Sequence, residues 1–115
     1  MNPVSFLGDS LDAIRSFPDG PRRDVGYQID RVQRGLDPDD WKPMPTVGAG
    51  VREIRIHIAG AHRVFYVATR AEAIYVLHAF EKKTQKTSAQ DLRIGRERFR
   101  ALGKLRQQHG KEERG

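Results

Sequence analysis

The stretch Ala73–Thr87, AIYVLHAFEKKTQKT, limits the fold of this chain more than any other segment. Its first half, Ile74–Phe80, is β-branched, aromatic and aliphatic, the composition of a half-buried strand. It runs directly into Glu81-Lys82-Lys83 and on to Lys86 and Thr87. A rigid strand that ends in clustered cations holds positive charge in fixed geometry against a polyanion. The same pattern also fits a buried strand followed by a solvated lysine turn.

The segment before it keeps the same period of two. In Val51–Ala59, Ile54, Ile56 and Ile58 point one way while Glu53, Arg55 and His57 point the other. Gly60-Ala61 turns the chain into His62–Thr69, where Arg63, Phe65 and Val67 alternate with Val64, Tyr66 and Ala68. Arg70-Ala71-Glu72 then leads to the third strand, Ala73–Glu81. Short turns between such runs predict an antiparallel meander with one face against helices and the other carrying arginine, histidine and aromatic groups.

Helical patterns flank the meander. Val4–Leu7 reads as a short edge strand. Asp9 or Ser10 then caps a helix with Leu11, Ile14 and Phe17 as its apolar stripe, stopped by Pro18. Pro21 suits the start of a second helix, with Val25, Ile29 and Val32 on one face and Gly35 as its terminating residue. Together they predict a helical hairpin. Asp37–Gly50 reads as a long irregular connection, anchored by Trp41 against the core. Thr87 or Ser88 caps a last helix with Leu92, Phe99 and Leu102 as its stripe, and 107–115 is expected to be a disordered basic tail. The expectation is α+β: two N-terminal helices packed on a twisted antiparallel sheet, with a C-terminal helix, in one domain over 1–106.

Composition narrows the partners. Across 115 residues, Lys plus Arg outnumber Asp plus Glu by 21 to 15, for a net charge of +6 and a pI near 10.1. That balance favours nucleic acid or an acidic protein. No apolar run approaches the roughly 18–20 residues of a spanning helix, so no membrane partner is expected. Without cysteine, and with His57, His62, His78 and His109 scattered, neither a metal site nor a cofactor is expected, and a cytoplasmic protein is the default.

The runs GVREIRI (50–56), HRVFYV (62–67) and IYVLHAFEKKTQKT (74–87) resemble the RelE/ParE superfamily of bacterial toxins, and within it the HigB-type, phage-derived branch. The likeness spans Val4 to Leu105, with HAFEKKTQKT its most specific part; Ser88 stands where that family commonly has proline. The resemblance implies a RelE-like fold and an mRNA interferase, an endoribonuclease that cuts translated message on the ribosome. It also implies a helix-turn-helix (HigA-type) antitoxin as partner, with operator DNA bound only through it. The family's cationic positions map onto Arg55, Arg63, Lys82, Lys83 and Lys86, and its frequent histidine onto His78.

Metal-free RNA cleavage gives those residue types a reason. The 2′-hydroxyl attacks the adjacent phosphate, which requires a proton acceptor, cations for the added charge on phosphate oxygens, and an acid for the leaving 5′-oxygen. Arg63, then Arg55, suit the phosphate because guanidinium donates in a planar fork. His78, Lys82 or Lys83 suits proton transfer. Lys86, Lys42 and Arg96 are candidate RNA contacts, and Phe65 is a candidate stacking platform. Against these stand plainer roles: His78 as a core histidine, Arg55 with Glu53 as a structural ion pair. Two other functions also fit the residues, a ParE-like inhibitor of DNA gyrase and a non-catalytic RNA-binding module.

Overall fold

The computed structural model describes residues 1–114, with side chains through Gln108. The strands are β1 (Val4–Phe6), β2 (Trp41–Pro43), β3 (Val51–Ile56), β4 (His62–Val67) and β5 (Ile74–Glu81). The helices are α1 (Ser10–Arg15), α2 (Asp19–Gln33) and α3 (Ala89–Arg114). They form a five-stranded sheet in the order β1-β5-β4-β3-β2. The α+β class and the C-terminal helix agree with the sequence. The sheet is mixed rather than antiparallel, because β1 pairs parallel to β5, with Val4 opposite Ile74.

The N-terminal arrangement also departs from a plain helical hairpin. β1 enters the sheet first, and α1 is only six residues long. Asp9 occupies the N-cap position of α1 without a capping hydrogen bond, since its carboxylate is engaged by Arg98 instead. α2 starts at Asp19, two residues before Pro21, which still lies in the first turn where its missing N–H costs nothing. Its end follows the pattern read from Gly35: at φ 83°, Gly35 donates to the Val32 carbonyl while Leu36 donates to that of Arg31. Leu36 itself stays half exposed.

The connection 37–50 is more ordered than its prolines suggest. Asp39 is held by Gln28, which donates to its carboxylate and accepts from its backbone N–H. Trp41 opens β2 opposite Ile54, and its ring lies 3.9 Å beneath the Arg52 guanidinium rather than in the core. Met44 and Val47 are buried. β3 stops at Ile56, so Ile58 falls in the turn and is half exposed instead of sharing the face of Ile54 and Ile56. Ala59 (φ 50°) and Gly60 (φ 103°) make that turn, one residue earlier than expected.

Both faces of the sheet are covered. Ile54, Ile56, Val64, Tyr66, Ile74 and Val76 meet Ile14, Val25, Ile29 and Val32 from α1 and α2. Val51, Phe65, Val67, Leu77 and Phe80 meet Leu102, Leu92 and Phe99 from α3. α3 starts with the Ser88 hydroxyl accepting from the Asp91 N–H and donating to the Asp91 carboxylate. Its backbone runs on through Arg114, across most of the span expected to be a disordered tail; Gly115 lies outside the described residues.

β5 contains one extra residue. Tyr66 pairs with Val76 but Phe65 pairs with His78, so Leu77 bulges out of the ladder. The shift turns Leu77 and His78 toward the same face, the one under α3. Strict alternation would have put His78 beside Ile74 and Val76.

Gly95 brings α3 close to the sheet, because a Cβ there would lie 2.9 Å from the Phe65 ring and 3.0 Å from Val47. Gly26 on α2 faces open space. Gly26→Ala is therefore expected to stabilise the fold by ~0.5–1 kcal/mol, the ordinary helix gain. Gly95→Ala is expected to destabilise it by ~1 kcal/mol through overpacking. Equal gains for both in urea unfolding would contradict the close-packing account. Near the other end of α3, Arg106 donates to both Glu72 oxygens at 2.6 and 3.1 Å, which lowers the Glu72 carboxyl from 4.5 to about 2. A lowered carboxyl stabilises above its unfolded value and loses that contribution as pH falls toward about 2. Arg106→Ala is expected to lower the melting temperature only slightly at neutral pH, because the pair is solvent-screened, with the difference from wild type shrinking as pH falls toward about 2; a pH series of melting curves measures it.

Candidate functional site: a cationic cleft at the end of the sheet

α3 leaves one end of its sheet face open, where β4 begins and β3 and β5 end. Pairing brings distant residues together there. Arg55 lies opposite Arg63, Arg63 opposite Phe80, and Lys42 opposite Glu53. The Lys82 N–H donates to the Ala61 carbonyl at 2.7 Å, extending the β4–β5 ladder into the lysine turn. Ala61, Arg63, Lys82, Lys83, Thr84 and Gln85 line an open cleft of about 700 Å3. A smaller pocket of about 220 Å3 beside it is lined by Phe80, Lys82, Lys83, Lys86, Ser88 and Asp91 among others.

Arg63 is the floor of this cleft rather than its rim. It is 4% exposed, and its Nη1 donates to the His62 carbonyl at 3.0 Å. Its Nε lies 3.5 Å from Glu53, whose carboxylate is fully buried with no hydrogen bond to either oxygen. Glu53 is thus the counter-charge of Arg63 and forms no ion pair with Arg55. Burial pushes the Arg63 guanidinium below its usual value, against the opposing pull of Glu53. Lys82 is half-buried above it, and its ammonium is lowered first by desolvation and then by the nearby charge of Arg63, with Lys42 and Arg55 adding to the effect.

The structure sorts the residues singled out from sequence into three groups. Arg55, Arg63, Lys42, Lys82 and Lys83 gather around the cleft, with Lys86 in the adjoining pocket. His78 sits on the same face, stacked on Phe80 with ring centroids 5.1 Å apart. Its Nε2 is 2.7 Å from the Asp91 carboxylate and its Nδ1 is 3.5 Å from Arg98. His78 therefore ties β5 to α3 at the edge of the lysine pocket. Two candidates lie elsewhere. Phe65 is fully buried beneath Gly95 and edge-on to Phe80, so its ring cannot stack on a base. Arg96 donates to the Thr46 carbonyl at 2.7 Å and faces a separate groove on α3.

Two site residues escaped the sequence reading. Glu53 occurs there only as a possible partner of Arg55, because its pairing with Arg63 depends on strand register. Arg98, one of many arginines on α3, donates to the Leu77 carbonyl (2.9 Å) and to Asp9 (2.6 Å). No local signal marks it.

The model of the phage-derived Gp49-like protein family matches residues 12–100. The chain belongs to that family. Gp49-like proteins are a RelE/toxin-like family, and the matched span runs from α1 into α3, enclosing every residue of the cleft. Among curated proteins none matches this Gp49-like chain. No helix among its described residues is long and apolar enough to cross a membrane.

Removing Arg63 strands a buried carboxylate. Arg63→Met in the Gp49-like chain is expected to lose ~3–5 kcal/mol of stability, whereas adding Glu53→Leu, which removes the stranded charge, restores most of it. Denaturant unfolding of the singles and the double measures the coupling; additive losses would mean that the two groups do not depend on each other.

Proposed function

We propose that this chain is the toxin of a type II toxin–antitoxin pair, of the HigB type, and cleaves mRNA on the ribosome. The observation that carries the reading is the gathering of Arg55, Arg63, Lys42, Lys82 and Lys83 at one open end of a rigid sheet. Membership of a RelE/toxin-like family supports it.

The cluster suits attack by a 2′-hydroxyl on its own 3′-phosphate. Lys83 and Arg55, at the more exposed positions, bind the phosphate oxygens, while buried Arg63 supplies positive potential from below. Lys82, with its lowered ammonium, takes the 2′-hydroxyl proton in its neutral form. The new bond from 2′-oxygen to phosphorus expels the 5′-oxygen, which receives a proton from Lys83 or Lys86. The products are a 2′,3′-cyclic phosphate and a free 5′-hydroxyl. His78, held between Asp91 and Arg98, positions the wall that carries these lysines. A helix-turn-helix antitoxin of the HigA type neutralises the protein and brings it to operator DNA.

Induction of the protein in growing cells, followed by primer extension on message, tests the proposal. Wild type is expected to give codon-phased cuts. Lys82→Met and Arg63→Lys, the latter keeping a cation beside Glu53, are expected to reduce cutting about 10²-fold or more with the fold retained. Absence of cuts under translating conditions sinks the nuclease reading, and inhibition of purified gyrase would replace it.

A further inference from the structure

A second groove, of about 540 Å3, lies between α3 and the loop joining β2 to β3. Val47 and Phe99 give it an apolar floor, and Arg96, Arg100 and Lys104 follow one another along the helix at four-residue steps, on one side. No carboxylate lines it among the described residues. Arg96 fastens the loop wall by donating to the Thr46 carbonyl.

Gly103 is a notch in this wall. A glycine inside a helix weakens it relative to alanine. At Gly95 the neighbouring Phe65 explains the choice, but a Cβ at Gly103 would meet nothing within 4 Å. The helix keeps an open recess that its own packing does not require.

The chemistry of the lining distinguishes peptide from nucleic acid. Single-stranded nucleic acid binders combine cations with exposed aromatic faces on which bases stack. Phe99, the one aromatic residue lining this groove among the described residues, is half-buried with the Gly48 backbone against one edge of its ring, so the groove offers no row of open faces for successive bases. An apolar floor, an empty recess and a line of unopposed cations match an acidic amphipathic segment. We propose that this groove docks such a segment of a protein partner, one aliphatic side chain seating over Gly103 while carboxylates pair with Arg96, Arg100 and Lys104. The site is separate from the cleft around Arg63 and does not depend on the nuclease reading.

The test uses the full chain, 15N-labelled, titrated in parallel with two probes. One is a helical peptide with leucines at i, i+4 and i+7 on a glutamate background; the other is a single-stranded RNA oligonucleotide. The peptide is expected to shift the amides of Thr46–Gly48 and 99–104. Arg100→Glu with Lys104→Glu is expected to weaken peptide affinity about tenfold or more. Gly103→Leu, whose Cβ would meet nothing within 4 Å, is expected to fill the recess and do the same. The proposal is overturned if the peptide does not bind or shifts Lys82–Gln85 instead, if only RNA moves the groove, or if Gly103→Leu binds the peptide as wild type does.

Discussion

The extra residue in β5 determines where α3 sits, and α3 determines which part of the sheet stays open. In an unbroken strand, Leu77 would face α1 and α2 or His78 would, because neighbours alternate. The bulge gives both to the α3 face. Leu77 joins the apolar seat of the helix, and its carbonyl accepts from Arg98 at 2.9 Å. Arg98 also reaches Asp9, so one guanidinium joins the bulge, the β1–α1 turn and the last helix. His78, turned the same way, fixes the first turn of α3 through Asp91. The helix is held at its start by polar bonds and along its middle by Phe65 under Gly95. What it leaves uncovered is the end where the lysines emerge.

That end is crowded with like charge, which needs a compensating group. Two unit charges about 4 Å apart interact with ~4 kcal/mol at an effective dielectric of ~20. A rigid sheet cannot relax such repulsion by moving its strands. Glu53 lies in the middle of the cluster, opposite Lys42 on one strand and beside Arg63 from the next. Its burial is costly by itself, and the neighbouring cations offset that cost. Both groups are almost completely buried, so the pair sets up the site from beneath. The cations left accessible are those above it, Lys82, Lys83 and Arg55.

Period and turn chemistry made most of the fold legible. Strands β3, β4 and β5, the Gly35 terminus of α2 and the Ser88 cap of α3 follow from local pattern alone, whereas the grouping of Arg55, Arg63 and the lysine turn comes from the family resemblance. The misses share a cause. Parallel pairing of β1 with β5, the bulge at Leu77, and the Arg63–Glu53 and Arg98 contacts each depend on where a distant segment lands, which spacing within one segment does not encode. Phe65 shows this most directly. Alternation places it correctly on the Arg63 face, but that face is part core and part cleft, and only the path of α3 decides which part Phe65 joins.

The net charge of +6 can then be read as two fields of different kinds. At the sheet end, cations surround a buried carboxylate, and desolvation lowers both Arg63 and Lys82. Of the two, Lys82 is the group that such tuning suits to exchange a proton, while Arg63 stays a fixed positive charge. Along α3, Arg96, Arg100 and Lys104 stand in the open, with no carboxylate beside them in the groove among the described residues. Exposed charges of that sort are screened by salt beyond about 10 Å, so they act on what is already docked. On the function and the docking surface proposed above, chemistry belongs to the end of the sheet and recognition to the helix. The two surfaces are built from different elements, and α3 separates them while its first turn, at Asp91, still borders the lysine pocket.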